Sequence, residues 1–230
     1  GAEVFAGKKY PAGGEHTGVG SWTGFFNLGG DIGASHSWQS GVSYWAADGI
    51  EREYGGHGHE EESEGGENDE PMLDSFEGDS AIIGANLVYK WAPNGNYRDQ
   101  NMKFQFEYFT RDDKGNIELE DSEALSRLNS KQSGYYAQVR WKFLPEWAAS
   151  VRYDRLDSDN TGTEADVLEK ADFAATDHEP TRASIAAEWI PSEFSRIRLQ
   201  YNRDDSYQEA DDQIYLQYTF SVGAHGAHSF

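Results

Sequence analysis

The sequence predicts an all-β protein: a transmembrane up-and-down antiparallel β-barrel of about ten strands, either whole or the C-terminal part of a larger barrel. Three observations lead there. Nine segments alternate apolar and polar residues with a period of two, the spacing of a strand whose two faces meet different surroundings. Their connections are short and long in strict alternation, as a meander with tight turns at one rim and loops at the other requires. The apolar rows carry aromatic residues near their ends, and the rows between them carry charge.

The segments follow in chain order. "SWTGFFNL" and "IGASHSWQSGVSYWA" form a first pair, with Trp22, Phe26, Leu28, Ile32, Trp38, Val42, Tyr44 and Ala46 on one side. "AIIGANLVYKW" sets Ile83, Ala85, Leu87, Tyr89 and Trp91 against Gly84, Asn86 and Lys90. "NMKFQFEYF" sets Met102, Phe104, Phe106 and Tyr108 against Lys103, Gln105 and Glu107. "GYYAQVRWKF" and "EWAASVRYD" continue with Tyr135 to Phe143 and Trp147 to Tyr153. "TRASIAAEW", "SRIRLQYN" and the alternating run Ile214–Phe220 complete the nine, and a weak segment at Glu3–Lys9 supplies a tenth. Short turns are expected at Gly29–Asp31, Pro93–Arg98, Leu144–Glu146 and Pro191–Glu193. Long acidic loops are expected at 48–79, 112–132 and 155–180, with smaller ones at 11–19 and 204–211.

Composition supports one barrel domain over residues 1–230. Apolar content is only 37%, yet 14% of residues are aromatic, which sets the chain apart from a disordered acidic one. A formal net charge of −22 excludes nucleic acid as a partner, and the lack of cysteine excludes disulfides and thiolate metal sites. No run of apolar residues is long enough for a helical span, a test to which barrel strands are blind. The opening "GAEVFAGKKY" carries no methionine or signal-peptide pattern and reads as a mature, processed or trimmed chain.

The polar rows decide what lies outside. In a soluble meander they would face water and the apolar rows would pack on each other. Burying so many indole and phenol groups would then leave N–H and O–H groups in need of partners. A barrel in lipid reverses the faces and turns Lys103, Glu107, Arg140, Lys142, Arg152, Asp154, Arg182, Glu188, Arg196 and Arg198 into a wet lumen. If its arginines stand unpaired, that lumen favours small anions; if all charges pair, it is plugged.

The ending "YTFSVGAHGAHSF", with its aromatic last strand and terminal Phe230, resembles the C-terminal signature of Gram-negative outer-membrane barrels. Together with "FNLGGDIGASHSWQSGVSYW" and a His/Glu-rich loop, it resembles a porin-like family often labelled zinc-regulated or TonB-dependent outer-membrane receptors, here without a plug domain. The resemblance implies an outer-membrane location, with lipid, lipopolysaccharide and the barrel assembly machinery as partners. Tyr218, Phe220 and Phe230 would be the terminal assembly signal, and a homo-oligomer or protein partner is compatible with it. The function expected is a porin-like channel for passive or metal-linked uptake of small solutes or ions. The alternative is a closed barrel with a structural or binding role.

For metal, the sharpest cluster is "HGHEEE", where His57, His59, Glu60 and Glu61 could take zinc or another divalent cation with His178 from a second loop. Its flanking glycines argue equally for a solvated loop. His225 and His228 form a second, weaker pair. No enzyme is expected: an Asp/His pairing of His178 with Asp204, Asp205, Asp211 or Asp212 at the loop rim is the nearest approach to a catalytic set.

Overall fold

The structure, a computed structural model, describes residues 1–14, 18–55, 73–119, 122–174, 178–207 and 209–223. Ten strands form one antiparallel sheet in chain order: β1 (Ala2–Phe5), β2 (Ser21–Ile32), β3 (His36–Gly55), β4 (Leu73–Trp91), β5 (Asn101–Leu119), β6 (Ala124–Leu144), β7 (Trp147–Gly162), β8 (Thr181–Ser192), β9 (Ser195–Asp205) and β10 (Asp211–Phe220). A single short helix, α1 (Ala165–Lys170), is the α-helix of the described residues. The up-and-down meander is as expected. The sheet is open, with β1 and β10 as its two outer strands.

Register explains why these residues form these strands. Trp22 pairs with Ala46, Tyr44 with Ile83, Leu87 with Phe106, Tyr108 with Tyr135, and Ile185 with Tyr201, so each apolar row continues across the sheet as one outer face. Among the described residues nothing covers that face: Phe26, Val42, Ile83, Trp141, Val151, Ile185 and Leu199 are all exposed. Trp147 and Trp189 lie with ring centroids 6.5 Å apart near the turn rim, and Tyr135 and Tyr153 lie 6.2 Å apart near the loop rim. On β7, Tyr153 lies six positions beyond Trp147, about 20 Å along the strand.

Beyond the tyrosines the strands run on, which corrects the loop boundaries. Residues 50–55 and 73–79, 112–119 and 124–132, and 155–162 are paired strand, not loop; the connections shrink to 56–72, 120–123 and 163–180. The alternation there was disguised because its sense is inverted. The outer row becomes charged, with Asp79 opposite Lys114 and Asp112 opposite Lys131. The inner row becomes apolar: Ile50, Phe76, Ile117, Leu119 and Leu128 form a buried cluster. A bulge between Ala47 and Ile50 shifts β3 by one residue, which brings Ile50 and Arg52 to the inner face. Gly49, at φ 62°, forms the bulge, and Asp79 Oδ1 accepts its N–H at 3.0 Å.

Two chain segments close over this cluster. Ala12 of the β1–β2 connection is buried in it, and so are Val167, Leu168, Ala171 and Phe173 of α1 and the residues that follow. Phe173 meets Tyr54 edge-on, with centroids 5.2 Å apart. Beneath them Arg52 donates to Pro11 O at 2.8 Å and to Asp113 Oδ2 at 2.9 Å, and Arg111 Nη2 lies 2.6 Å from the same carboxylate. With Asp113 3% exposed, the two guanidinium groups are what keep this charge tolerable away from water.

Burial, the Asp113 charge and Tyr10, in that order, push the Tyr54 phenol well above its ordinary value. A group with a raised folded-state pKa contributes stability below its unfolded pKa, about 10, and loses it as pH rises beyond that. Protease sensitivity of the 163–174 segment should therefore rise between pH 9 and pH 11. Tyr54→Phe should flatten this rise, and an identical pH response in both proteins would refute the assignment.

Candidate functional site

All ten charged positions expected to line a lumen fall on the inner face, alternating with the exposed apolar row. They divide into tiers. Near the loop rim the charges pair locally. Arg152 donates from Nε and Nη2 to Asp154, at 2.9 and 2.5 Å, and lies 3.8 Å over the Tyr136 ring. Arg182 is bonded to Asp204, whose Oδ1 also accepts from the Ser206 hydroxyl at 2.5 Å. Glu107 stands opposite Tyr136 and next to none of the arginines in register.

Amides stand among these charges. Asn27, Gln39, Asn86, Gln105, Gln138, Gln200 and Asn202 occupy inner positions, with Asn86 opposite Glu107 and Gln138 opposite Arg152, and Asn202 donates to Gln213 at 3.3 Å. Amides of this kind offer both donors and acceptors and hold neither sign of charge.

Near the turn rim the balance changes. Glu188, 2% exposed, accepts from Arg140 Nε at 2.9 Å and Nη2 at 2.6 Å through one oxygen. Its other oxygen lies 3.7 Å from Arg196 and 3.9 Å from Arg198. Three guanidinium groups thus share one carboxylate. Lys103 stands opposite Arg140, Lys90 opposite Lys103, and Lys142 opposite Ala148, one step from Glu188. An unpaired arginine ladder is therefore not what the sheet builds: Arg152 pairs with Asp154, Arg182 with Asp204, and Arg140, Arg196 and Arg198 gather on Glu188.

The remaining expectations fare differently. His57, His59, Glu60, Glu61, His225, His228 and Phe230 lie outside the described residues. His178 is described, and its Nε2 lies 2.9 Å from the backbone carbonyl of Asp205. That contact ties the loop to the main chain of β9. Tyr218 and Phe220 sit on the exposed face of β10 with stacked rings 6.4 Å apart. His36, on the apolar row, is 2.6 Å from the Tyr89 hydroxyl. Sequence reasoning missed the Arg52–Asp113–Arg111 group and the role of Asp204. Both depend on cross-strand register, and alternation along a single strand carries no trace of it.

Glu188→Gln tests how far one carboxylate holds this tier. Removing the charge leaves three clustered guanidinium groups without their counterion, a loss of about 3–5 kcal/mol for a buried pair. The variant should unfold at distinctly lower urea concentration than the parent in the same detergent. An unchanged midpoint would show that the arginines are held by something else.

No family model matches the chain. It is similar to an uncharacterized protein of Aquifex aeolicus (strain VF5), 30% identical over 167 residues, which are 70% of this chain and 33% of that protein. The chain thus spans about a third of the length of the relative it matches.

Proposed function

We propose that the chain builds the wall of an outer-membrane β-barrel that acts as a porin-like channel for small solutes or ions. One observation carries the reading: an apolar, aromatic-edged outer face runs unbroken from β2 to β10, and it gives way to a charged face where the strands continue beyond it. In water such a sheet would be inside out, since each exposed Leu, Ile or Phe forgoes roughly 1.5–3 kcal/mol of burial. In lipid the same face is in its own solvent, and the Trp and Tyr girdles fall where hydrocarbon meets headgroups. Backbone groups on the free edges of β1 and β10 cannot stay unpaired in hydrocarbon, so the working barrel closes through those edges.

The buried cluster under Ala12 and Phe173 favours a second reading, a barrel stopped at its loop rim with a structural or binding role. Acidic loops that attract divalent cations would suit it. Planar-bilayer recording separates the two. Discrete conductance steps are expected of the channel, and their absence at every salt concentration leaves the stopped barrel.

Val151→Arg tests the membrane itself. Val151 is 57% exposed at mid-belt, so in a water-soluble sheet the change falls within about 0.5 kcal/mol. Facing lipid near the midplane it costs about 2–4 kcal/mol. Urea unfolding of protein reconstituted in vesicles reads the difference, and a neutral result would remove lipid from the outer face.

A further inference from the structure

We propose that a cavity beneath the β1–β2 connection binds a small aromatic carboxylate, with Phe5, Tyr10 and Trp45 receiving the ring and Lys8 and Lys9 the carboxylate. The inference deepens the channel reading and rests on it only for the route by which the ligand arrives.

The connection is a fixed loop over the inner face. Gly20 donates its N–H to Phe5 O at 2.9 Å, Gly13 to Gly7 O at 3.0 Å and Ala12 to Lys9 O at 3.2 Å, so residues 7–13 close on themselves. Arg52 reaches Pro11 O from the sheet, and Ala12 is sunk in the buried cluster. Gly7 turns the chain at φ 74°, where a Cβ would stand 2.8 Å from the backbone of Gly20. Lys8 and Lys9 are thus carried on a loop pinned on both sides of them.

The floor beneath is the inner face of the sheet. Ser21 and Thr23 alternate with Trp22 of the outer row, and Trp45 alternates with Tyr44. Thr23 stands directly opposite Trp45, and Phe5 opposite Ser21. Between floor and loop lies a cavity of about 630 Å³, lined by Phe5, Lys8, Lys9, Tyr10 and Trp45 among others. Trp45 packs against the buried cluster, which fixes one wall. Phe5 and Tyr10 remain exposed, 46% and 78%, and a ring-bearing ligand would cover what they leave open.

Charge sets the sign of the ligand. The chain has 41 acidic residues against 19 lysines and arginines, yet two lysines and no Asp or Glu line this cavity among the described residues. Glu3, two residues earlier on the same face of β1, is not part of the lining. Among the described residues neither Lys8 nor Lys9 has a hydrogen bond or an ion pair, and both are exposed. Ammonium donors give a carboxylate charge-assisted bonds, while three rings offer a flat apolar body stacking and edge contacts. An aromatic carboxylate uses both halves of the lining; a bare anion or a neutral arene uses one.

Benzoate is the probe, titrated calorimetrically into the chain reconstituted in vesicles, with empty vesicles as the blank. Saturable binding is expected, weakened about tenfold in Lys8→Gln/Lys9→Gln and kept in Lys8→Arg/Lys9→Arg. Trp45→Ala should weaken it by about the same factor, and Lys131→Gln on the outer face should leave it unchanged. Acetate, with the charge alone, and benzyl alcohol, with the ring alone, should each bind much more weakly. On the unaltered chain, benzoate should protect Lys8 and Lys9 from amine acylation while Lys131 reacts as before, an answer that needs no variant to fold. Absence of saturable binding or of protection overturns the proposal, and so does acetate binding as tightly as benzoate. Planar-bilayer recording keeps the two readings apart: binding without any conductance removes the channel and leaves the site, whereas a conducting protein that binds no benzoate does the opposite.

Discussion

The structure depends on one constraint: a strand has two faces, and here the surroundings of each face change partway along its length. Through the belt the outer face is apolar and the inner face charged. Above the tyrosines the outer face carries Asp79, Asp112, Lys114 and Lys131, while Ile50, Phe76, Ile117 and Leu128 turn inward. The inversion supplies each part of the sheet with a different source of cohesion. The loop-rim part has an ordinary buried core, roofed by Ala12 and the α1 segment. Among the described residues the belt part has no apolar core, and its side chains are held together by ion pairs and amides on the inner face.

That second kind of cohesion is demanding. Buried or half-buried charges stabilise only when their partners are in place. The loop-rim pairs, Arg152 with Asp154 and Arg182 with Asp204, are each self-sufficient. The turn-rim tier is different, because one carboxylate on β8 serves arginines from β6 and β9. A face that carries more cations than carboxylates is stable only with water or mobile anions beside it, so an excess of this kind belongs where solvent reaches.

Much of this was legible in the sequence, and the losses have physical causes. Alternation located all nine strong strands because their outer and inner rows differ so sharply, as in Met102–Tyr108 against Lys103–Glu107. It failed at residue 48, where the Gly49 bulge changes the phase and the outer row turns acidic. "GIEREYG" then looks like a solvated loop, although Ile50, Arg52 and Tyr54 keep the period of two. The charged positions of the candidate site could be named but not paired. Arg140 reaches past β7 to Glu188, a link that only the lateral order of strands reveals. The weak tenth segment was found slightly too long, since Ala2–Phe5 is strand and the chain from residue 6 turns away to roof the core.

The sharing of Glu188 also has a lateral consequence. A carboxylate taken almost wholly out of water is tolerable only with its cations beside it. Arg140 on β6 and Arg196 and Arg198 on β9 reach the same carboxylate on β8, so one side chain links β6 to β8 although β7 lies between them and the two share no backbone ladder. Four strands are thereby fastened together by charge across the inner face, over and above the hydrogen bonds that each makes with its neighbours.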